Sequence, residues 1–344
     1  MTLAFSIETS CDETSVAIVD NNGKILNQII ENQLDHNKFG GVVPEIASRA
    51  HLQILQRIVP LCFKQAKLKL SNIDIFCATC GPGLIGGLLI GSTVAKSMSI
   101  GMNKPFYPIN HLEGHLISPT FNNKLEFPNL SILLTGGHTQ IYLIKKPNDY
   151  KLLCETVDDA VGESFDKVSK LLGLSYPGGP EIEKFAQNGN INTYDLPHPL
   201  KNNKNINFSF SGIKTAVSLI VKNQKKITQK FKEDMAASFQ NKIIEIIISK
   251  IERTINVLKN KNIDIADISI VGGVAANKAL RNSLLNNEGI NKYNIVCPPM
   301  EICGDNAAMI ALVGLQKYKH KVKPDRLFNF KANPRLSITE LGSL

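Results

Sequence analysis

Two histidines set four residues apart, in His111-Leu112-Glu113-Gly114-His115, are the residues best spaced for chemistry. A helix turns about 100° per residue, so the two rings sit roughly 40° apart and one turn along. That is the spacing of a bidentate metal site, and neutral imidazole suits zinc or iron. The pair also invites comparison with a zinc protease, in which the general base directly follows the first histidine. Here Glu113 is displaced by about 200° from His111 and points away from any shared ion, which argues against peptide hydrolysis. Two imidazoles need further ligands.

Three turns add to the inventory. Gly136-Gly137, with His138 and Thr139 in the same turn, offers backbone N–H groups to a phosphate or carboxylate. Gly272-Gly273-Val274-Ala275-Ala276-Asn277 follows a strand and opens a helix, a setting that suits a nucleotide seated against a helix start. The turn Glu8–Thr14 is rich in hydroxyls and carboxylates, Asp12 and Glu13 among them. Gly81-Pro82-Gly83 and Gly86-Gly87 read instead as close-packing glycines. Cys77-Ala78-Thr79-Cys80 matches C-x-x-C but lies on an apparent strand, without the turn into a helix that a redox motif needs. The seven scattered cysteines are expected to be mostly buried apolar residues.

The elements that carry these residues repeat. Strand-like runs at Ala4–Ile7, Ser15–Val19 and Lys24–Ile30 precede a helix from about Glu45, expected to break or kink at Pro60. Strand Ile73–Cys80, a helix ending near Gly101, strand Phe106–Ile109 and a helix from His111 complete the first half. Strands Ser131–Leu134, Gln140–Ile144 and Tyr150–Thr156 open the second. A helical stretch Val161–Leu172, a loop region Tyr176–Phe210 and a long amphipathic helix follow. Strand Ile268–Val271, a helix, strand Asn294–Cys297 and a final helix from about Asp305 end the chain. Twice the order is β-β-β-α-β-α-β-α, a mixed sheet covered by helices.

Two such units in tandem resemble the actin, Hsp70 and sugar-kinase superfamily. The expected fold is α/β: two actin-like (ribonuclease H-like) subdomains, residues 1–125 and 126–344, with mixed sheets and an interdomain cleft. A helical and loop insertion is expected at about 157–230. Two unrelated α/β domains, or one large sheet, are the alternatives. In a true repeat the helix starts at His111 and Asp305 are equivalent. Asp305 is then the expected third ligand, from the other half, and the ion would join the halves.

At 344 residues, 43% hydrophobic and 20% charged, the chain is long enough for two cores. No stretch approaches the roughly 20 uninterrupted apolar residues of a membrane span, and the N-terminus lacks a signal core, so no membrane association and a cytoplasmic location are expected. A net charge of +9 and a pI of about 9.1 permit a nucleic-acid partner. Only six of the 39 basic residues are arginine, however, so the charge does not require one. Lys201–Lys204 and Lys222–Lys232 could feed a basic groove or be solvated faces.

Taken in order, several motifs resemble the tRNA N6-adenosine threonylcarbamoyltransferase (TsaD) family. They are Ile7–Thr14, Gly41–Arg49, Gly81-Pro82-Gly83-Leu84, His111–His115 and Gly136-Gly137-His138-Thr139, then Phe165-Asp166-Lys167 and Tyr176-Pro177-Gly178-Gly179-Pro180. Phe210-Ser211-Gly212 with Lys214-Thr215, Gly272–Asn277 and Asp305-Asn306 complete the set, which spans nearly the whole chain. The resemblance implies transfer of threonylcarbamoyl from threonylcarbamoyl-AMP to N6 of adenosine 37, in the anticodon loop of tRNAs reading ANN codons, with release of AMP. It implies one divalent ion, Fe2+ or Zn2+, on His111, His115 and Asp305. Substrate contacts fall on Leu134, Thr135, Gly136, Gly137, His138, Asp166, Gly179, Glu183 and Asn277. Asp12 or Glu13 would assist deprotonation of the attacking amine, or else bond within their turn. Implied partners are tRNA, a TsaB-like paralogue, a TsaE-like small ATPase supplying an ATP-linked activity, and an upstream adenylate-forming synthase. Phe39, Thr135 and Gly304 depart from the commonest family pattern of Tyr, Ser and Thr. An ATPase or sugar kinase of the same fold, a non-catalytic paralogue and a zinc protease are the rival readings.

Overall fold

The computed structural model describes residues 1–33, 42–121, 124–201 and 206–338; Phe39, Gly41 and residues 202–204 of the Lys201–Lys204 region lie outside the described residues. Two compact units divide the chain. One comprises Met1–Asn123 with Pro298–Leu344, the other Lys124–Cys297.

The first unit runs β1 (Leu3–Glu8), β2 (Glu13–Asp20), β3 (Ile25–Asn32), α1 (Pro44–Ala66), β4 (Ile75–Gly81), α2 (Ile85–Met102), β5 (Phe106–Asn110) and α3 (His111–Ile117). The second runs β6 (Asn129–Leu134), β7 (Thr139–Lys146), β8 (Asp149–Glu155), α4 (Val161–Leu171), α5 (Gly178–Ala186), α6 (Ser211–Lys222), α7 (Gln229–Lys259), β9 (Asp267–Val271), α8 (Lys278–Asn286) and β10 (Asn294–Val296). Helix α9 (Ala307–Lys319) returns to the first unit.

The strand orders are β3-β2-β1-β4-β5 and β10-β9-β6-β7-β8. In each sheet the first three strands in sequence pair antiparallel, and the next two join parallel beside the first. The duplicated order that the sequence predicts is therefore present. The carboxyl end of β1 leads into the acidic turn, and that of β6 into the glycine turn, at matching positions.

Alternation assigns the two faces of the first sheet. Leu3, Phe5 and Ile7 of β1 join Phe76 and Ala78 of β4 in a core covered by Leu55, Ile58 and Cys62 of α1. Ala4 and the β4 residues Ile75 and Cys77 face the other way, against Ala307–Val313 of α9. That helix is buried all round its first two turns. It needs a second covered surface, and the small side chains Ala4 and Ala17 leave room for one. A Cβ at Gly314 would meet Cys77 Sγ at 2.1 Å, so this glycine allows the closest approach. The expected division at residue 126 therefore differs from the observed one: Pro298–Leu344 packs with the first unit, not with the second.

Two local expectations also change. Helix α1 passes through Pro60 without ending. The proline is exposed, so the carbonyl that loses its N–H partner can turn to water while the opposite face stays packed. Within the region read as loop, Gly178–Ala186 forms α5, with Pro180 in the first turn, where proline is tolerated. Among the described residues one helix, α2, is long and apolar enough to suit a membrane span. Here Gly87, Leu88, Gly91 and Ala95 are its buried face, with Gly87 and Gly91 packed against Thr9 at the end of β1. Gly83 likewise packs against Ser10, as expected of close-packing glycines.

Candidate functional site

His111, His115 and Asp305 converge within the first unit. Asn110 caps α3, accepting the backbone N–H groups of Leu112 (2.9 Å) and Glu113 (3.3 Å), so the helix starts at His111 itself. Asn306 caps α9 by accepting from Met309 N, which fixes Asp305 just ahead of that helix. His115 Nε2 lies 3.0 Å, and His111 Nε2 3.4 Å, from the same oxygen, Asp305 Oδ1. All three donor atoms lie within 4.8 Å of one another. The rings of the two histidines meet edge to face at 4.8 Å. Two imidazole nitrogens on buried histidines and one oxygen of the partly exposed Asp305 converge, a donor set that fits a divalent ion of the zinc or iron type. The expectation that Asp305 would reach the histidines from the other half is corrected: α9 places it in the same unit as both.

The surroundings are rich in carboxyls. Glu8, fully buried at the end of β1, lies 3.1 Å from His111 Nδ1. Burial opposes charge on His111, but Asp305 and Glu8 more than offset this and hold its pKa well above the usual histidine value. His115 has the reverse balance, burial winning, and is held below the usual value. Burial also works against ionised Asp305, yet the two histidines keep it well below the ordinary carboxylate range. Glu13 has no such cation. Burial, Asp305 and Asp12 push it well above that range, and burial with Asp12 and Glu13 pushes the Cys11 thiol up. A bound divalent cation would reverse this local logic by favouring the ionised forms.

Glu113 faces Lys317 of α9, not the histidine donors. The two form an ion pair at 3.2 Å, with side chains 4% and 6% exposed. A carboxylate committed in this way cannot act as a protease base. Glu113→Gln removes the charge of one buried partner of Lys317 and is expected to lower stability by about 1–3 kcal/mol, read from urea unfolding. An unchanged midpoint would mean that Lys317 reaches water.

The remaining expected contacts gather in the second unit, at the carboxyl ends of the parallel strands β6 and β9. Thr135 N donates to His138 O (2.8 Å) and Thr135 Oγ1 accepts from His138 N (2.9 Å), closing the glycine turn. The hydroxyl does this work, so threonine in place of serine preserves it. Gly162 N donates to Thr135 O, and Thr139 Oγ1 accepts from Val161 N, bringing the start of α4 to the same turn. Gly272 packs so tightly that a Cβ there would meet Leu134 O at 2.4 Å. Asp166 accepts from Gly178 N (2.7 Å), Glu183 from Lys278 N (2.6 Å) and Asn277 from Leu280 N (2.8 Å). Three helix starts, those of α4, α5 and α8, are thereby assembled around the strand ends, the setting that favours anions. Leu134 is fully buried and offers the turn only its backbone. At Gly136, Gly137, Gly179 and Gly273 an added Cβ would meet nothing within 4 Å. These four leave open the space that a ligand's phosphates could approach.

Of the two lysine-rich regions, only Lys201 and Lys222–Lys232 fall among the described residues. Lys201 O accepts from Arg253 near the end of α7, whereas Lys230 stands in that helix's first turn, about 35 Å away along the axis. Two buried groups escaped the sequence reading: Glu8, and His51 of α1. His51 Nε2 holds Cys11 O at 3.0 Å, and its Nδ1 lies 2.8 Å from Thr14 Oγ1, so it clamps the acidic turn. The position of Glu8 inside the Glu8–Thr14 turn was the only signal. For His51 there was none beyond its place on the buried face of α1.

Comparison with known proteins gives a consistent picture. A family model described as TsaD, tRNA N6-adenosine threonylcarbamoyltransferase, matches residues 24–312. A curated protein of that name from Rickettsia rickettsii (strain Sheila Smith) is 44% identical over 340 residues, 98% of each chain. One from Brucella suis (strain ATCC 23445 / NCTC 10510) is 45% identical over 318 residues, covering 90% of this chain and 89% of that protein. Among solved structures, component A of (R)-2-hydroxyglutaryl-CoA dehydratase from Acidaminococcus fermentans aligns over 94% of this chain at a TM-score of 0.52 and 15% identity, covering 99% of that protein. Full-length HypF aligns over 92% of this chain and 56% of its own, at 0.56 and 12%. At those identities the likeness concerns fold alone, and the fold is actin-like. The chain belongs to the TsaD family of tRNA N6-adenosine threonylcarbamoyltransferases.

Proposed function

We propose that this chain transfers the threonylcarbamoyl group from threonylcarbamoyl-AMP to N6 of adenosine 37 in tRNAs reading ANN codons, releasing AMP. Near-full-length identity of 44% to curated proteins of that name is the observation that carries the reading. The reaction is acyl transfer from a mixed carbamic–phosphoric anhydride to an exocyclic amine. The new C–N bond forms as the bond from the carbamoyl carbon to the phosphate oxygen breaks, and N6 gives up a proton. AMP is already a good leaving group, so the protein has mainly to position both substrates and stabilise charge at the carbonyl.

The four open glycines and three helix starts of the second unit suit the phosphate of the adenylate. His111, His115 and Asp305 would hold the divalent ion, iron or zinc. When bound, such an ion supplies a Lewis acid for the threonyl carboxylate or the carbamoyl oxygen. Asp12 or Glu13, the two carboxyls of the acidic turn, is the proposed proton acceptor for the attacking amine. Adenosine 37 lies in a single-stranded loop and is reachable without melting a duplex. In this reading a separate synthase forms the adenylate, and a TsaB-like paralogue and a TsaE-like ATPase act alongside in the cytoplasm.

The test is mass analysis of nucleosides from tRNA incubated with this chain, threonylcarbamoyl-AMP and those partners. Threonylcarbamoyladenosine with stoichiometric AMP is expected. Phosphate release from ATP with no modified nucleoside would favour a kinase-like or ATPase activity instead.

A further inference from the structure

Glu8 is the one fully buried carboxylate that the reaction leaves without a task, and its contacts are specific. Its Oε1 accepts from Ser10 N at 2.6 Å, and its Oε2 accepts the hydroxyl of Thr79 on β4. Those two donors lock the side chain at the end of β1. The same Oε2 lies 3.1 Å from His111 Nδ1, with Ser10 Oγ also 3.2 Å from that nitrogen. Among the described residues none does the same for the second histidine: His115 Nδ1 is buried with no hydrogen-bond partner there. The two rings are thus held unequally. One is tied through Nδ1 to an anchored anion, and the other leans on Asp305 and on the edge of its neighbour.

We propose that Glu8 is the positioning residue of the metal centre, fixing His111 as the tautomer that carries its proton on Nδ1 and presents Nε2 beside Asp305. The inference rests on the reading that His111, His115 and Asp305 bind a divalent ion. A carboxylate behind a ligating imidazole does three things at once. It selects the donor nitrogen, restrains rotation of the ring, and makes the nitrogen more basic by balancing the charge that the ion transfers to it. Because His115 packs edge to face on His111, a ring that swings at His111 also loosens the second donor. Glu8 therefore acts on both nitrogens while touching only one. Its partners come from the turn that follows β1, from β4 and from α3. The sheet register that aligns Ile7 with Ala78 is what brings Glu8 beside Thr79.

Co2+ is the probe, added to the chelator-treated, refolding-competent full chain and followed through its visible d–d bands. Glu8→Gln keeps the shape but not the charge. It is expected to weaken Co2+ binding about 10- to 100-fold, the usual effect of losing such a partner, and to alter the band envelope at saturation. Glu8→Asp keeps the charge but withdraws it by one methylene, and is expected to fall between the two. Should Glu8→Gln fail to fold, Thr79→Val supplies the reading. It removes one of the anchors of the carboxylate and is expected to weaken binding several-fold with a changed spectrum. Co2+ affinity and spectrum identical to wild type in a folded Glu8→Gln chain, with only the melting temperature lowered, would reduce Glu8 to a structural acceptor and overturn the inference. A wild-type chain that binds no Co2+, Zn2+ or Fe2+ would instead sink the metal reading itself, and this inference with it.

Discussion

Asp305→Asn is expected to remove the bound ion and the transfer activity together, and to leave the metal-free protein less stable than wild type. Asp305 is the only anionic member of the three-donor set, and both histidine Nε2 atoms approach its Oδ1. Replacing it with a neutral amide removes a donor and the charge that attracts a divalent ion. The loss should exceed the roughly 100-fold that a partner one step further out can cost. Stability of the metal-free protein should fall as well, because the two histidines hold Asp305 well below the ordinary carboxylate range and so favour its ionised form in the folded chain. Its repulsion of Glu13 and Cys11 offsets only part of that gain. His111 keeps Glu8 as its counter-charge when Asp305 is neutralised. A net loss of about 1 kcal/mol would lower the melting temperature in chelator by about 2–4 °C for a domain of this size. Retention of full metal and activity would remove Asp305 from the ligand set, and an unchanged or raised metal-free melting temperature would mean that its attraction to the histidines does not outweigh its repulsion of the neighbouring carboxyls. A pH dependence accompanies this. Against the effect of burial, Asp305 and Glu8 favour the protonated form of His111 in the metal-free protein, so an incoming ion competes with a proton there and wild-type Co2+ affinity should rise with pH. Affinity that is flat across neutral pH would contradict that assignment.

How much of this the sequence carried depends on how local each feature is. The strands were legible as short runs such as Ala4–Ile7 and Ser15–Val19, and the repeat carried the order of the elements, whereas the strand pairings came from the structure. The spacing of His111 and His115 is a property of one helical turn, so it was legible, as was the orientation of Glu113 away from the donors. Which sheet α9 covers was not legible. That helix is buried on every side over Ala307–Val313, so its hydrophobic pattern names no preferred face. Only the small residues of the first sheet, and the close approach at Gly314, decide the matter. The roles of Glu8 and His51 depend on pairings across 103 and 40 residues, which composition and periodicity cannot reveal. Pro60 misled for the opposite reason: a strong local rule lost to tertiary packing, because the ring faces solvent.

Two alanine substitutions in the second unit should separate shape from binding. Gly272→Ala is expected to unfold or badly weaken the chain. The residue sits at φ +93°, and its new methyl would stand 2.4 Å from Leu134 O and 2.7 Å from Thr135 Cγ2, neither of which can retreat without moving the end of β6. Strain of this kind plus overpacking costs about 2–5 kcal/mol. Gly136→Ala is expected to do nearly the reverse. Its backbone is outside the left-handed region and its methyl would meet nothing within 4 Å, so stability should change by less than about 0.5 kcal/mol, the range for substitutions away from packed sites. The methyl would instead occupy the approach to the turn that Thr135 and His138 close, where backbone N–H groups face the proposed phosphate. KM for threonylcarbamoyl-AMP should then rise at least tenfold, equivalent to about 1.4 kcal/mol of lost binding. Steady-state transfer assays and urea melts on the two variants decide between the readings. If Gly136→Ala binds the adenylate normally, its open space is ordinary solvent and the nucleotide lies elsewhere. If Gly272→Ala folds as well as wild type, the turn has more room than its contacts indicate, and the assembly of the α8 start against β6 is not what shapes the site.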